Sequence, residues 1–299
     1  MSVTAQLIAN GIIAGAIYAL VALGYTMVYG ILKFINFAHG EVLMMGAYFA
    51  YTCVNYLGMP IWLALLVAMA LSALLGVIIE RVAYKPLRYS GRLAPLITAI
   101  ALSIFLQSMA LIIWGSEIRT LRQGSVSKGN EIFGAVITNN QLLIIATTVG
   151  VLIILHLFLK YAKLGKAMRA ATDNLPLAAT IGIEVDKVIG ITFAIGSALA
   201  ALAGVLVGIE QNIEPTMGIT LGIKAFTAAV VGGIGNIQGA VLGGFAVGLI
   251  ENIGIWFIPS GYKDAIAFLV LVIMLIFRPS GILGTKKEEE MGKTESLFG

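Results

Sequence analysis

The sequence predicts an all-α, polytopic membrane protein of about eight to nine transmembrane segments. Three observations carry this. Hydrophobic residues fill 59% of the 299 positions and charged residues only 11%, where soluble domains carry roughly 25% charged residues. Apolar runs of about 20 residues recur along the chain, the length that spans a bilayer as a helix rather than as a short alternating strand. Lysine and arginine gather in alternate loops: 33, 81–92, 160–187 and the C-terminus together hold 14 of the 19. Loops rich in these residues stay on the cytoplasmic side, so the N-terminus is expected outside and the C-terminus inside.

The elements follow in order. Residues 1–10 contain no Lys, Arg, Asp or Glu. The positive stretch that opens a cleavable signal is therefore missing, and the first apolar segment, 6–32, is expected to stay as a helix. Gly11, Gly15 and Ala19 give it a small-residue ridge that lets another helix approach closely. The stretch KFINFAHGEVLMMGAY, 33–48, then places Asn36, His39 and Glu41 beside apolar sequence on both sides. Segment two ends near 57, at the turn GMP. Segment three, 61–80, runs into Glu80, Arg81, Lys85, Arg88 and Arg92. Segment four, 95–114, contains Gln107. Residues 115–140 read as a polar loop of mixed charge.

Segment five covers 141–159, and segment six, 188–209, carries a second ridge of Ala200, Gly204 and Gly208. After EQNIEPTMG, 210–218, the apolar stretch 225–231 is too short to span. It ends in Gly232, Gly233, Gly235 and Gly239. This predicts a half-helix followed by irregular backbone, tolerated at membrane depth only where protein buries it or a wet cavity lies beside it. Segment eight covers 240–258 and segment nine 264–278. RPSG ends the last helix, leaving one transmembrane unit, 1–284, and a Lys- and Glu-rich tail, 285–299, expected to be disordered. Nine crossings is the simplest count; seven or eight follow if 33–48 or the half-helix is re-entrant. HGEVLMMGAY (39–48) and QGAVLGGFAV (238–247) share Gly, Val, Leu and Ala at matching offsets, which fits two similar halves.

The loop at 160–187 is the polar island of the chain. Asp173 and Asn174 are good N-cap residues, Pro176 suits a first helical turn, and Gly182 can stop a helix. A short helix over 175–181 follows, with Leu177 and Ile181 on one face. Such a knob suits a partner's groove; a solvated connector is the competing reading.

Some chemistries are excluded. No phosphate-binding Gly-rich loop ending in Gly-Lys-Ser/Thr occurs, and no nucleophile elbow or paired-histidine zinc motif. The two histidines, His39 and His156, lie on distant segments, and Cys53 is the single cysteine, so neither a disulfide framework nor a cysteine metal site is available. A membrane-embedded enzyme lacks its residues here. No basic cluster points to nucleic acid.

NFAHGEVLMMGAY (36–48), LGKAMRAATDNLPLAATIGI (164–183), VVGGIGNIQGAVLGG (230–244) and RPSGILG (278–284) resemble the permease of high-affinity branched-chain amino acid ABC transporters, the LivH type. The resemblance runs through residue 284. It implies a type II ABC importer-like permease in a bacterial inner membrane. The implied partners are a second, LivM-like permease, two cytoplasmic ATPases that bind ATP and Mg, and a periplasmic substrate-binding protein; this chain itself would hold no cofactor. Relatives sharing these motifs import urea, short-chain amides or other amino acids, and these stand as alternatives, with a stand-alone carrier or channel as a further rival. By the same resemblance Met168, Arg169, Asn174, Leu177, Ala178 and Gly182 are the ATPase-coupling residues.

Other candidate positions each carry two readings. Asn36, His39 and Glu41 either line the translocation pathway or cap a helix and tie segments one and two together. Glu251 and Asn252, mid-segment, belong to the cavity or to a permease–permease interface. Gln107 is a pathway contact or an interhelical hydrogen bond. Gly232, Gly233, Gly235 and Asn236 bring backbone close to substrate or to a neighbouring helix. Outside, Arg119, Arg122, Glu210 and Glu214 either meet a binding protein by charge or form a solvated loop.

Overall fold

The computed structural model describes residues 2–88, 90–91, 93–121 and 129–284. Its helices are α1 (Val3–Leu32), α2 (His39–Asn55), α3 (Ile61–Ile79), α4 (Leu93–Trp114), α5 (Asn139–Tyr161), α6 (Lys163–Asp173), α7 (Leu175–Thr180), α8 (Val185–Glu210), α9 (Met217–Gly232), α10 (Ile237–Gly254) and α11 (Lys263–Phe277). Among the described residues seven are long and apolar enough to cross a membrane: α1, α3 with its extension to Leu87, α4, α5, α8, α10, and α11 with the short turn before it. The apolar helices α2 and α9 are shorter, at 17 and 16 residues.

Helices α1, α2 and α8 form the buried centre, and α10 lies along α1. The predicted ridge explains the contact. A Cβ on Gly15 would lie 2.7 Å from the Phe245 Cα, and one on Gly11 would lie 2.9 Å from the Leu249 Cα. Gly244 and Gly248 present the matching small face to Ala19 and Gly15. In a bilayer helices gain little from the hydrophobic effect, so close backbone packing of this kind holds them together. Gly15→Leu is therefore expected to abolish accumulation of the folded chain in membranes, read by gel-filtration of the detergent-extracted protein. The second ridge works the same way. Gly204 backs onto Leu43 and Ala47 of α2, and Gly208 onto Ile213 and Leu121.

Three predicted elements change. The loop 115–140 contains an antiparallel hairpin, β1 (Gly129–Ile132) and β2 (Ala135–Thr138), joined by Phe133 and Gly134, both at positive φ. That is the two-residue turn geometry that matches strand twist. The hairpin caps the start of α1, where Ser2 N–H donates to Gly134 O at 3.1 Å. Residues 163–173 form a helix of their own, α6. The predicted half-helix 225–231 is instead a 16-residue helix, α9. Gly218 and Gly222, which look like interruptions in the sequence, are where α9 crosses Gly40. Irregular backbone flanks α9 on both sides, at 211–216 before it and, as the glycines lead one to expect, at 233–236 after it.

Candidate functional site

The end of the bundle expected on the cytoplasmic side is organised by α6 and α7. Asn174 caps α7 as its side chain accepts from Leu177 N–H at 3.0 Å, and Gly182 closes it at φ 87°. Met168 and Ala178 are buried and fix the pair of helices against the bundle, while Leu177 and Ile181 are exposed. Arg169 is exposed and its guanidinium donates to the Lys160 carbonyl. The apolar knob expected from the sequence is therefore present, with two of its six named residues acting as anchors.

Just beyond α7 the first turn of α8 carries Asp186, which pairs with Lys85 at 2.7 Å and Arg88 at 2.5 Å. Arg88, nearly buried, also pairs with the buried Glu80. Residues Glu80–Tyr84 form a π-helical turn at the end of α3, a distortion often found at functional places. The Tyr84 hydroxyl donates to Asn36 Oδ1 at 2.6 Å. Asn36 thus ties the α1–α2 connection to the turn after α3, rather than capping α2 or joining segments one and two through its side chain.

Deep in the bundle α2 and α9 begin back to back. A Cβ on Gly40 would lie 2.9 Å from Gly222 Cα, and one on Gly218 2.8 Å from the Glu41 carboxyl carbon. The depth follows from α4. Ser103 is at the midpoint of this 22-residue helix, which is about 33 Å long at 1.5 Å per residue. Its hydroxyl donates to Glu41 Oε1 at 3.1 Å. Glu41 is 1% exposed and its Oε2 has no partner among the described residues. His39, on the other side of α2, packs edge-on against Tyr25 at 4.7 Å and against Gly24, and its Nε2 is likewise unpaired among them. A narrow cleft is lined by Tyr25, Tyr29, Ile35, Phe226, Ala229 and Ile234.

A second buried cluster joins α1, α9, α10 and α11. Lys224 pairs with Glu251 at 2.6 Å and with Asp264 at 2.5 Å, while the Tyr18 hydroxyl donates to Glu251 Oε2 at 2.7 Å. Glu251 is thus deep and charge-compensated. Asn252 folds back, donating to Gly248 O at 2.8 Å. Gln107 is half-buried on α4, with no interhelical hydrogen bond among the described residues.

The glycines after α9 meet the chain's own C-terminal segment. Ile282 N–H donates to Val231 O at 2.8 Å and Leu283 N–H to Gly232 O at 3.0 Å. Asn236 Nδ2 donates to Leu283 O at 2.8 Å, while Asn236 Oδ1 caps α10 by accepting from Gln238 and Gly239. Gly233, at φ 107°, would place a Cβ 2.7 Å from Gly284 N. Gly235 also needs positive φ. Gly232, Gly233 and Asn236 thus meet that segment directly. At the opposite end Arg119 pairs backbone to backbone with Ile213, Glu210 accepts from Gln141 at 2.7 Å, and Glu214 is exposed. Arg122 lies outside the described residues.

Sequence reasoning misses Lys224, Tyr18, Ser103 and the Glu80–Arg88–Asp186 group as site residues. Lys224 is visible as a lone cation in apolar sequence; its partners lie 27 and 40 positions on.

The model of the family described as branched-chain amino acid transport system / permease component matches residues 7–275. The chain is 45% identical to the high-affinity branched-chain amino acid transport system permease protein BraD of Pseudomonas aeruginosa, covering 96% of this chain and 97% of that one. It is 42% identical to LivH of Escherichia coli, covering 94% and 96%, and 30% identical to a probable LivH permease of Methanocaldococcus jannaschii, covering 93% and 92%. With a family match over nearly its full length and a bundle of apolar helices in place, the chain belongs to the permease components of branched-chain amino acid transport systems.

Proposed function

We propose that this chain is a membrane permease subunit of an ATP-driven importer that carries leucine, isoleucine or valine. The relatives' names supply the substrate class, and α7 supplies the mechanism. The observation that carries the coupling reading is a capped two-turn helix whose apolar side chains Leu177 and Ile181 stay exposed while Ala178 is buried. An apolar face on a water-facing loop is suited to a groove in a partner. The partners are a second permease subunit, two cytoplasmic ATPases that hold ATP and Mg, and a substrate-binding protein on the outer side, met by the face of Arg119, Glu210 and Glu214. The Lys and Arg distribution favours a C-terminus inside an inner membrane and an N-terminus outside. Closure of the ATPases would push α7 and α8 as a rigid body and tilt the helices behind them.

The test is reconstitution with ATPases and binding protein in liposomes, following labelled leucine with urea as a control. Leu177→Asp is expected to lower leucine uptake about tenfold or more, as loss of a central interface anchor does, with normal membrane accumulation of the chain. Unchanged uptake and ATPase co-purification in Leu177→Asp and Ile181→Asp would remove the coupling assignment. Uptake of urea in place of leucine would move the substrate, and uptake without any ATPase would favour a stand-alone carrier.

A further inference from the structure

Three glutamates are buried among the described residues: Glu41, Glu80 and Glu251. Glu80 has Arg88 and Glu251 has Lys224. Glu41 has no cation among those residues. Its carboxylate accepts one hydrogen bond, from Ser103, and its second oxygen is unpaired. A buried unpaired charge costs several kcal/mol, and ionisable groups at membrane depth mark pathways far more often than packing. The partial positive ends of α2 and α9 lie beside it and help hold the negative charge. They leave one oxygen to bind something else.

We propose that Glu41 receives the primary ammonium group of the transported amino acid, and that α4 is the gate over it. This deepens the reading above and rests on it, since a neutral cargo such as urea has no ammonium to offer.

The gate follows from how α4 is held. Its buried residues are Pro95, Ala99, Leu106 and Ala110, one stripe at helical spacing in which Ser103 sits facing Glu41. The rest of the helix is largely exposed. Its outer end is pinned to α2: Trp114 Nε1 donates to Thr52 Oγ1 at 2.9 Å and the Trp114 ring stacks on Tyr48 at 4.8 Å. The Ser103–Glu41 bond is the polar contact at mid-helix. Tilting α4 about its pinned outer end breaks that bond and uncovers the carboxylate. Release on the inner side leads past Tyr25, whose hydroxyl lies against Gly222 and whose side chain lines the cleft.

The test uses the reconstituted complex with loaded binding protein. Glu41→Gln is expected to lower leucine transported per ATP hydrolysed about tenfold or more, the worth of one charge-assisted hydrogen bond. Glu41→Asp recovers part of the ratio. The melting midpoint of Glu41→Gln is unchanged or higher, because an unpaired charge has been removed; a purely structural role would lower it. The second measurement spares the carboxylate: Ser103→Cys in a Cys53→Ala background. A charged thiol reagent modifies the thiol at position 103 faster during turnover, and leucine slows it where urea does not. A wild-type ratio in Glu41→Gln, a thermal midpoint that falls in both Glu41→Gln and Glu41→Asp, or a Ser103→Cys thiol unreactive in every nucleotide state would overturn the assignment. Absence of leucine uptake by the wild-type complex would instead remove the transport reading itself.

Discussion

Lys224→Met is expected to prevent stable accumulation of the chain, while Lys224→Met combined with Glu251→Gln recovers much of it. Lys224 is 6% exposed and Glu251 fully buried, 2.6 Å apart at their charged atoms. Removing the cation alone leaves a carboxylate inside the bundle with, among the described residues, only the Tyr18 hydroxyl at 2.7 Å and Lys263 at 4.0 Å. Breaking one side of such a pair costs about 3–5 kcal/mol, a large share of typical stability. Neutralising both sides removes the stranded charge together with the attraction, and such double replacements are often close to neutral. Asp264, half-exposed, would be left without Lys224 in both variants and so cancels from the comparison. Thermal midpoints of the detergent-extracted single and double variants check this. Equal loss in the two would show that Lys224 acts alone, through packing or through Asp264, rather than through Glu251.

The same pair shows where sequence reading runs out. Features decided within a few residues are legible. Asn174, Pro176 and Gly182 specify α7 by capping and turn chemistry, and its observed limits differ by one residue from those expected. Gly11, Gly15 and Ala19 announce a close helix contact because spacing alone makes a ridge. The partner of that ridge, Gly244 and Gly248, is visible as a ridge but not as its mate. Features decided between distant segments are misread. Gly218 and Gly222 weaken a helix locally and Lys224 interrupts the apolar run, so only the apolar half of α9 shows in the sequence. In the fold the glycines admit Gly40 and the lysine finds acids on α10 and α11. The glycines after α9 suggest close backbone approach, but nothing local says that the approaching backbone is the chain's own 278–284. Glu41 stands out by position alone. What distinguishes it, the lack of a counter-cation that Glu80 and Glu251 both have, is a tertiary fact of the described residues.

Arg88→Met and Asp186→Asn are expected to separate stability from coupling. Arg88 stands between two acids that differ in burial. The Glu80 side chain is 2% exposed, that of Asp186 58%. Loss of Arg88 strands Glu80 inside the bundle at a cost of about 3 kcal/mol or more, so the thermal midpoint of Arg88→Met falls sharply. Asp186→Asn leaves Arg88 on Glu80 and removes only water-screened pairing, worth at most about 1 kcal/mol; its midpoint barely moves. Yet Asp186 is the residue through which the start of α8, directly after α7 and its Gly182 turn, grips Lys85 and Arg88 and through them the π-helical turn of α3. If α7 is pushed by an ATPase, this grip is what makes α3 follow α8, and the Tyr84–Asn36 bond passes the movement on to the α1–α2 connection. A complex carrying Asp186→Asn should therefore hydrolyse ATP, through its ATPase subunits, at a near-normal rate while moving several-fold less leucine per ATP, with Asp186→Glu restoring the ratio. Measured in the same liposomes, a normal ratio in Asp186→Asn would confine the ion pairs to holding α3 against α8. A lost ratio with an intact melting curve would place them in the path of the power stroke.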